Sequence, residues 1–232
     1  PDPEPTPDPE PTPDHEPTPD PEPTPDPDVT NDDPFQEVNG LAVIEFESMN
    51  YHSDWEVVEV DDALGGGYIQ WTPWEAFQNF GAGQFSVDVE IHNPGTYRIM
   101  WRNSIRNGDN PSDHNDTWLK VLAQNFYGKK VTDEHVVCPN QQEPSNKCEG
   151  DAPHGSSASG ALKVYRFGSP ASAWVWHSYT SDNDAHAIYA DFEEPGIYEV
   201  QIAARSSFHG LDRLVLFRSR NESDDISESY AT

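Results

Sequence analysis

The 232-residue chain is poor in cations, with 13 Lys and Arg against 42 Asp and Glu and a formal net charge of −29. Residues 34–218 alone hold 26 acidic and 12 basic side chains. Because nucleic acids are bound through a basic face, this balance argues against a nucleic-acid partner. It also disfavours sulfated or uronic polysaccharides, unless a bound cation intervenes.

Cysteine is scarce as well: Cys138 and Cys148, in CPNQQEPSNKC, are the only two. A zinc site here would need two further ligands, and His135 and His154 stand at no standard spacing. We predict a disulfide in a secreted, extracellular protein, because the spacer described next is typical of such proteins. The alternative is two free thiols on an exposed loop.

Aromatic and aliphatic side chains are missing from the first 28 residues, which hold 13 of the 22 prolines; residues 1–30 divide into five PDPEPT-like hexads. Such a segment cannot bury enough surface to offset the entropy lost on ordering. We predict a disordered, extended polyproline-type linker over 1–33 and a polar acidic tail over 219–232. Residues 34–218 then form one domain, and the chain is expected to be a mature form or a piece of a larger protein.

Helical periodicity is almost absent from that domain, whereas short apolar runs recur between Gly, Pro, Asn and Asp. Two strands follow Pro-Gly turns, in NPGTYRIMW and EPGIYEVQI. The pattern predicts an all-β jelly-roll β-sandwich with a long irregular loop insertion over 104–160. The predicted strands are 41–48, 55–60, 67–71, 84–91, 95–103, 117–122, 161–167, 172–179, 186–192, 196–206 and 212–218.

Catalytic signatures are also lacking: the chain has no GxSxG, no HExxH and no Walker loop. Its unusual polar feature is LAVIEFES, where Glu45 and Glu47 would share one strand face inside an apolar run. Three readings stay open for this pair: an exposed surface pair, an acid–base pair, or a clamp for a hard cation.

Four motifs together resemble carbohydrate-binding modules of family 6 and family 35. They are VIEFE, GGGYIQW, NPGTYRIMWRN and SFHGLDRLVLFR, in the same order along residues 40–218. The resemblance implies a galactose-binding-like β-sandwich. It also implies a structural calcium held by Glu45, Glu47 and Asp212, with loop carbonyls near Gly65 completing the shell.

The resemblance further implies a sugar site at one loop end of the sandwich. Aromatic rings stack on sugar faces, and polar groups read the hydroxyls. This sequence has His209 near the place where those modules carry an Asn, so sugar specificity does not transfer. The predicted contacts are Trp74, Arg102, Asn103, His114, Asn115, Trp118 and His209.

The expected function is that of a non-catalytic, monomeric domain that targets a secreted polysaccharide-degrading protein to a neutral plant or algal glycan. A tethered catalytic domain is the expected partner, and no membrane association is expected. One alternative is a structural accessory domain that packs on a catalytic domain without binding sugar. Another, for which no constellation is found, is a glycoside hydrolase or lyase.

Overall fold

The computed structural model describes residues 33–78, 80–130, 132–140, 152–155 and 157–218, apart from the side chains of 157 and 158. Most of the predicted linker, the predicted tail and Cys148 lie outside these residues. The described strands are β1 (Phe35–Gln36), β2 (Leu41–Glu45), β3 (Trp55–Glu59), β4 (Gly67–Trp71), β5 (Phe85–Ile91), β6 (Gly95–Ile105), β7 (Asp116–Val121), β8 (Asn125–Lys129), β9 (Val136–Val137), β10 (Ser157–Ala158), β11 (Ala161–Tyr165), β12 (Tyr179–Thr180), β13 (His186–Phe192), β14 (Gly196–Ala203) and β15 (His209–Arg218). Two 3-10 turns, Phe46–Ser48 and Leu64–Gly66, complete the described elements.

These strands confirm the predicted jelly-roll β-sandwich. Hydrogen bonds link them in the order β1-β5-β14-β7-β11-β12-β13-β6-β15-β4-β3, with β2 also on β15 and β8 also on β13. The sheet curls on itself, and the short β12 joins its two halves. Among the described residues, no helix has the length and apolar character needed to cross a membrane.

One large apolar core lies between the two halves. The burial pattern of β5 alternates strictly at its start, as expected for a strand with one face inward. Val89 on β5 and Ile202 on β14 belong to the same buried cluster as Trp101 on β6 and Leu214 on β15. Burying side chains from both halves holds the layers together, at roughly 1.5–3 kcal/mol for each large aliphatic or aromatic group.

Two segments differ from the sequence prediction. Residues 172–179 are predicted to form a strand, yet 172–178 form a loop with a single bridge, Val175 to Asn103, and only Tyr179 belongs to a strand, β12. The loop lies over the sheet, where the half-buried Trp176 packs on Met100 and Val215. Within 104–160, which was expected to be irregular apart from one strand, β8 adds to the free side of β13 and pairs with β9.

Four connections meet at one end of the sandwich. Loop 72–84 follows β4, loop 106–115 follows β6, loop 166–178 follows β11, and loop 204–208 joins β14 to β15. Backbone hydrogen bonds tie them together, among them Ala76 N to Arg205 O at 2.7 Å and Arg166 N to Asn115 O at 2.9 Å. This arrangement gives the molecule a loop end whose parts support one another.

Candidate functional site

Glu45, Glu47 and Asp212, here called the carboxylate cluster, come together from three different backbone features. Glu45 ends β2, and Glu47 lies in the following 3-10 turn, so the expected shared strand face is wrong. Asp212 occupies an irregularity in β15, where the register against β6 shifts between Leu211 and Arg213. Such bulges redirect a side chain, which here brings Asp212 toward the opening strand.

Each acid of the carboxylate cluster has one buried oxygen without a partner. Glu45 Oε2, Glu47 Oε2 and Asp212 Oδ1 accept no hydrogen bond from any residue in the described part of the chain. Gly65, at φ 70°, closes the cluster: a Cβ there would collide with Glu47 Oε1 and lie 3.3 Å from Glu45 Oε2. Unpaired buried carboxylate oxygens are costly, and a hard cation is the ligand that would satisfy them.

The arginines around the carboxylate cluster offset its charge only in part. Arg213 pairs with Glu45, and Arg102 pairs with Asp212, whose Oδ2 also accepts a hydrogen bond from Leu64 N at 3.2 Å. Burial, aided by repulsion from Glu45 and Asp212, raises the pKa of Glu47 to about 7. The cluster therefore has an excess of negative charge that a divalent cation fits.

The cation would need more than these three side chains. In the described residues, the ligand atoms of the carboxylate cluster do not all meet within 4.8 Å of one another. Calcium takes about six to eight oxygens, so the backbone of the turn at Leu64–Gly66 would have to contribute. The residues present fit calcium as a structural ion at the junction of the first and last long strands.

Three of the predicted sugar contacts lie inside the protein. Asn103 and Trp118 are 0% exposed and His209 is 1% exposed, so direct contact with a glycan is wrong for all three. Asn103 Nδ2 donates to two backbone carbonyls, and His209 Nδ1 lies 2.8 Å from Thr117 Oγ1. They form a supporting layer beneath the loops rather than a surface.

Arg102 is held at the carboxylate cluster by its pairing with Asp212. Besides Asp212, its guanidinium donates to Asp62 O at 3.2 Å. It also lies 5.0 Å from the ring centre of Trp174, in cation–π geometry. These partners occupy the Arg102 guanidinium, and Arg102 does not line the cavity described below, so its predicted role as a sugar contact is wrong.

The other predicted contacts do lie at the loop end. Trp74 is 54% exposed, and its carbonyl accepts a hydrogen bond from Trp71 Nε1 at 2.6 Å, which holds its loop on the core. His114 Nδ1 lies 2.9 Å from Ser207 O, and Asn115 Nδ2 donates to Arg166 O at 2.8 Å. Only Asn115 lines the cavity described next.

An open groove of about 500 Å³ lies beside loop 106–115. Each acid that lines it has a basic partner, Asp182 with Lys163 and Asp116 with Arg205, whereas the buried Arg166 is held by backbone carbonyls. The residues that line it are Pro111, Ser112, Asn115, Asp116, Lys163, Tyr165, Arg166, Phe167, Asp182, Asn183 and Ala185. We call this cavity the loop-end groove, and its size falls in the roughly 300–1,000 Å³ range of small-ligand sites.

A buried arginine stabilises one wall of the loop-end groove. Arg166 is 0% exposed, and its guanidinium donates to backbone carbonyls along 167–173, including Ala173 O and Gly168 O at 3.0 Å. Burial lowers the pKa of Arg166 from its ordinary value, although these carbonyls remain its partners. A wall fixed in this way keeps its shape without a ligand.

An exposed aromatic ring stands at the margin of the loop-end groove. Phe167 is 44% exposed and stacks on His177, with ring centres 4.7 Å apart and planes 29° apart. Tyr179 contacts the same ring at 5.2 Å. Neighbouring side chains thus hold Phe167 in place while much of its surface faces solvent.

Most residues of the loop-end groove were not anticipated. Phe167 and Tyr165 belong to a predicted strand, and Asp182 and Asn183 fall between two predicted strands. The only available signal is the run SDND after an aromatic stretch. It indicates a polar turn, but it does not show which loop packs beside that turn. Cys138 is buried, and since Cys148 lies outside the described residues the disulfide stays a prediction.

No family model matches the chain, and no curated protein matches it either. Twelve chains of solved structures match. One is the crystal structure of the Podospora anserina GH26-CBM35 β-(1,4)-mannanase, at 11% identity and a TM-score of 0.44. The match covers 79% of this chain and 29% of that one, so this chain spans less than a third of that enzyme.

Proposed function

We propose that residues 34–218 form a non-catalytic carbohydrate-binding domain and that the loop-end groove holds the glycan. The observation that carries this proposal is an open, polar groove with a fixed, exposed aromatic at its margin. A sugar ring offers an apolar C–H face and a set of hydroxyls. Phe167 suits the first, and the amides and paired charges of the groove suit the second.

The charge pattern favours a neutral glycan. Lys163 and Asp182 neutralise each other, as do Asp116 and Arg205. Paired charges still donate and accept hydrogen bonds, but they offer no net attraction to a charged ligand. The surplus of acidic side chains over the whole domain would also repel uronic or sulfated chains.

A calcium ion held by Glu45, Glu47 and Asp212 is the second part of the proposal. When bound, it would supply charge neutralisation and no bond-breaking chemistry. Glu45 and Asp212 lie on the opening and closing strands, so a shared ion would tie these strands together. The unpaired oxygens and the raised pKa of Glu47 support this role.

The wider setting is that of a secreted monomer tethered to a polysaccharide-degrading catalytic domain. The acidic, proline-rich residues 1–33 would act as a stiff spacer in such a protein. Tethering raises the effective concentration of a catalytic domain at the glycan without any new contact.

Affinity electrophoresis of the full chain tests the sugar proposal. The gels would contain mannan, xylan, mixed-linkage β-glucan or a galactan, with polygalacturonate as the acidic comparison. We expect retardation by at least one neutral polysaccharide in the presence of calcium, and none by polygalacturonate. Retardation by no glycan would favour a structural accessory domain, and release of reducing ends would favour an enzyme.

A further inference from the structure

A second cluster of metal-ligating side chains lies away from both sites described above. It comprises His135, Asp184 and His186, here called the histidine cluster. Its ligand atoms all lie within 4.8 Å of one another. His135 directly precedes β9, and His186 begins β13, with Asp184 in the turn before it. The cluster therefore spans the β8–β9 hairpin and the strand on which that hairpin packs.

The two imidazoles face each other through their nitrogens. His135 Nδ1 lies 2.9 Å from His186 Nε2. Two imidazoles bound to one zinc ion at about 2.0–2.1 Å in tetrahedral geometry have their nitrogens roughly 3.3 Å apart. A small outward movement of the exposed His135 would therefore admit an ion between the rings.

A further observation concerns the other nitrogen of His186. Its Nδ1 is hydrogen-bonded to the backbone carbonyl of Asp184. A neutral His186 therefore carries its proton on Nδ1 and presents the Nε2 lone pair to His135. This backbone hydrogen bond is the arrangement that orients metal-binding histidines in proteins.

From these contacts we propose that the histidine cluster binds a first-row divalent transition metal, with zinc the expected ion. His135 Nδ1, His186 Nε2 and a carboxylate oxygen of Asp184 are the protein ligands, and water completes the shell. On binding, the proton that His135 Nδ1 donates to His186 moves to His135 Nε2, which leaves Nδ1 free to ligate. Two nitrogens and one carboxylate suit zinc, nickel or copper, whereas calcium takes oxygen ligands. The site is thus chemically distinct from the carboxylate cluster.

Lys130 is the competitor for this site. Its ammonium pairs with Asp184, and it also lies 3.7 Å from Asp133. On metal binding, Lys130 keeps Asp133 as a partner while Asp184 turns one oxygen to the ion. The metal would then brace the β8–β9 hairpin on β13, at a point where Gly128 already allows close packing against His186.

The test uses the full chain saturated with calcium, so that the carboxylate cluster takes no added metal. Titration with Co²⁺ is followed by its visible d–d bands, and zinc is then added to displace it. We expect one Co²⁺ per chain and complete displacement by zinc. His135→Ala removes a direct ligand at an exposed position. It should weaken zinc binding by more than the roughly 10–100-fold that loss of a supporting group costs.

The matched control is His52→Ala, which removes an exposed histidine outside the cluster and should leave zinc affinity unchanged. Lys130→Met should strengthen zinc binding by removing the competing cation. Absence of d–d bands in the parent protein, or equal zinc affinity in His135→Ala, would show that the two histidines form only a hydrogen-bonded pair. Circular dichroism confirms that each variant is folded.

Discussion

The carboxylate cluster and the loop-end groove are both rich in charged side chains, but they differ in whether each acid has a basic partner. In the groove each acid has a basic partner: Asp182 has Lys163, and Asp116 has Arg205. In the carboxylate cluster three acids share two arginines, and an oxygen of each acid is buried without a partner among the described residues.

This difference separates the roles of the two regions. Unmatched buried charge destabilises a fold until a counter-ion arrives, so the carboxylate cluster indicates ion binding. Matched charge around an open cavity offers directional hydrogen bonds with little net field, which suits an uncharged ligand rich in hydroxyls. The same residue types thus indicate a structural ion in one place and a neutral ligand in the other.

The largest expected effect comes from breaking a matched pair. Asp116 is nearly buried and accepts hydrogen bonds from Arg205 and from Ser206 Oγ. Asp116→Ala should lower the free energy of unfolding by about 3 kcal/mol, because the largely buried Arg205 loses its carboxylate partner. Urea unfolding measures the change. Asp88→Ala, at an exposed position of β5, should stay within about 0.5 kcal/mol of the parent. Equal effects would mean that the pairing contributes nothing.

Neutralising an acid of the carboxylate cluster should stabilise the protein when no metal is bound, whereas Asp116→Ala destabilises it. In EDTA, Glu47→Gln should raise the melting temperature, because it removes a buried charge that repels its neighbours. In calcium at about 100 times its Kd, the parent protein should gain about 2.7 kcal/mol, or roughly 5–10 °C, and the variant should gain little.

The control for the calcium experiment is Glu59→Gln, at an exposed position on β3, which should keep the full calcium gain. A parent protein whose melting temperature does not change between EDTA and calcium would remove the proposed ion. It would leave the unpaired oxygens of the carboxylate cluster without an explanation.

The next effect concerns glycan affinity and uses two phenylalanines of similar exposure. Phe167 at the groove is 44% exposed, and Phe77 on loop 72–84 is 42% exposed. Phe167→Ala should weaken binding of a retarding polysaccharide by about tenfold, which corresponds to about 1.4 kcal/mol, and Phe77→Ala should not. The reverse result, measured by affinity electrophoresis, would move the sugar site to the surface around Trp74.

Much of the fold follows from local pattern. The two Pro-Gly turns and the alternation around them predicted β5, β6, β13 and β14 within a few residues, because burial of one strand face is visible in sequence. The stretch 172–179 shows the limit of this reasoning. Its tryptophans alternate as in a strand, yet Trp176 packs on the outer face of the sheet from a loop. No local pattern distinguishes such a covering loop from a strand.

The candidate sites also differ in how far the sequence could predict them. Glu45, Glu47 and Asp212 could be grouped because the resemblance paired the opening strand with the closing strand, and β2 does pair with β15. The loop-end groove depends on how loops 106–115 and 166–178 pack, which involves contacts between residues far apart in the chain. His135 and His186 likewise meet only because β8 and β9 pack beside β13.

The last expected effect lies in the layer beneath the groove and is absent at neutral pH, because it develops only as pH falls. Burial, aided by the positive charge of Arg166, lowers the pKa of His209 to about 3. The unfolded chain protonates this histidine near pH 6.5, so the neutral native form contributes stability that is complete above that pH and lost as pH falls toward 3. His209 should thus contribute a slope of about 1.4 kcal/mol per pH unit to the free energy of unfolding.

His209→Gln should lose less stability than the parent between pH 6 and 4 in urea unfolding, whereas His52→Gln should follow the parent. Parallel curves for His209→Gln and the parent would mean that His209 accepts a proton in the folded state, which its closed surroundings beside Thr117 and Trp101 should prevent.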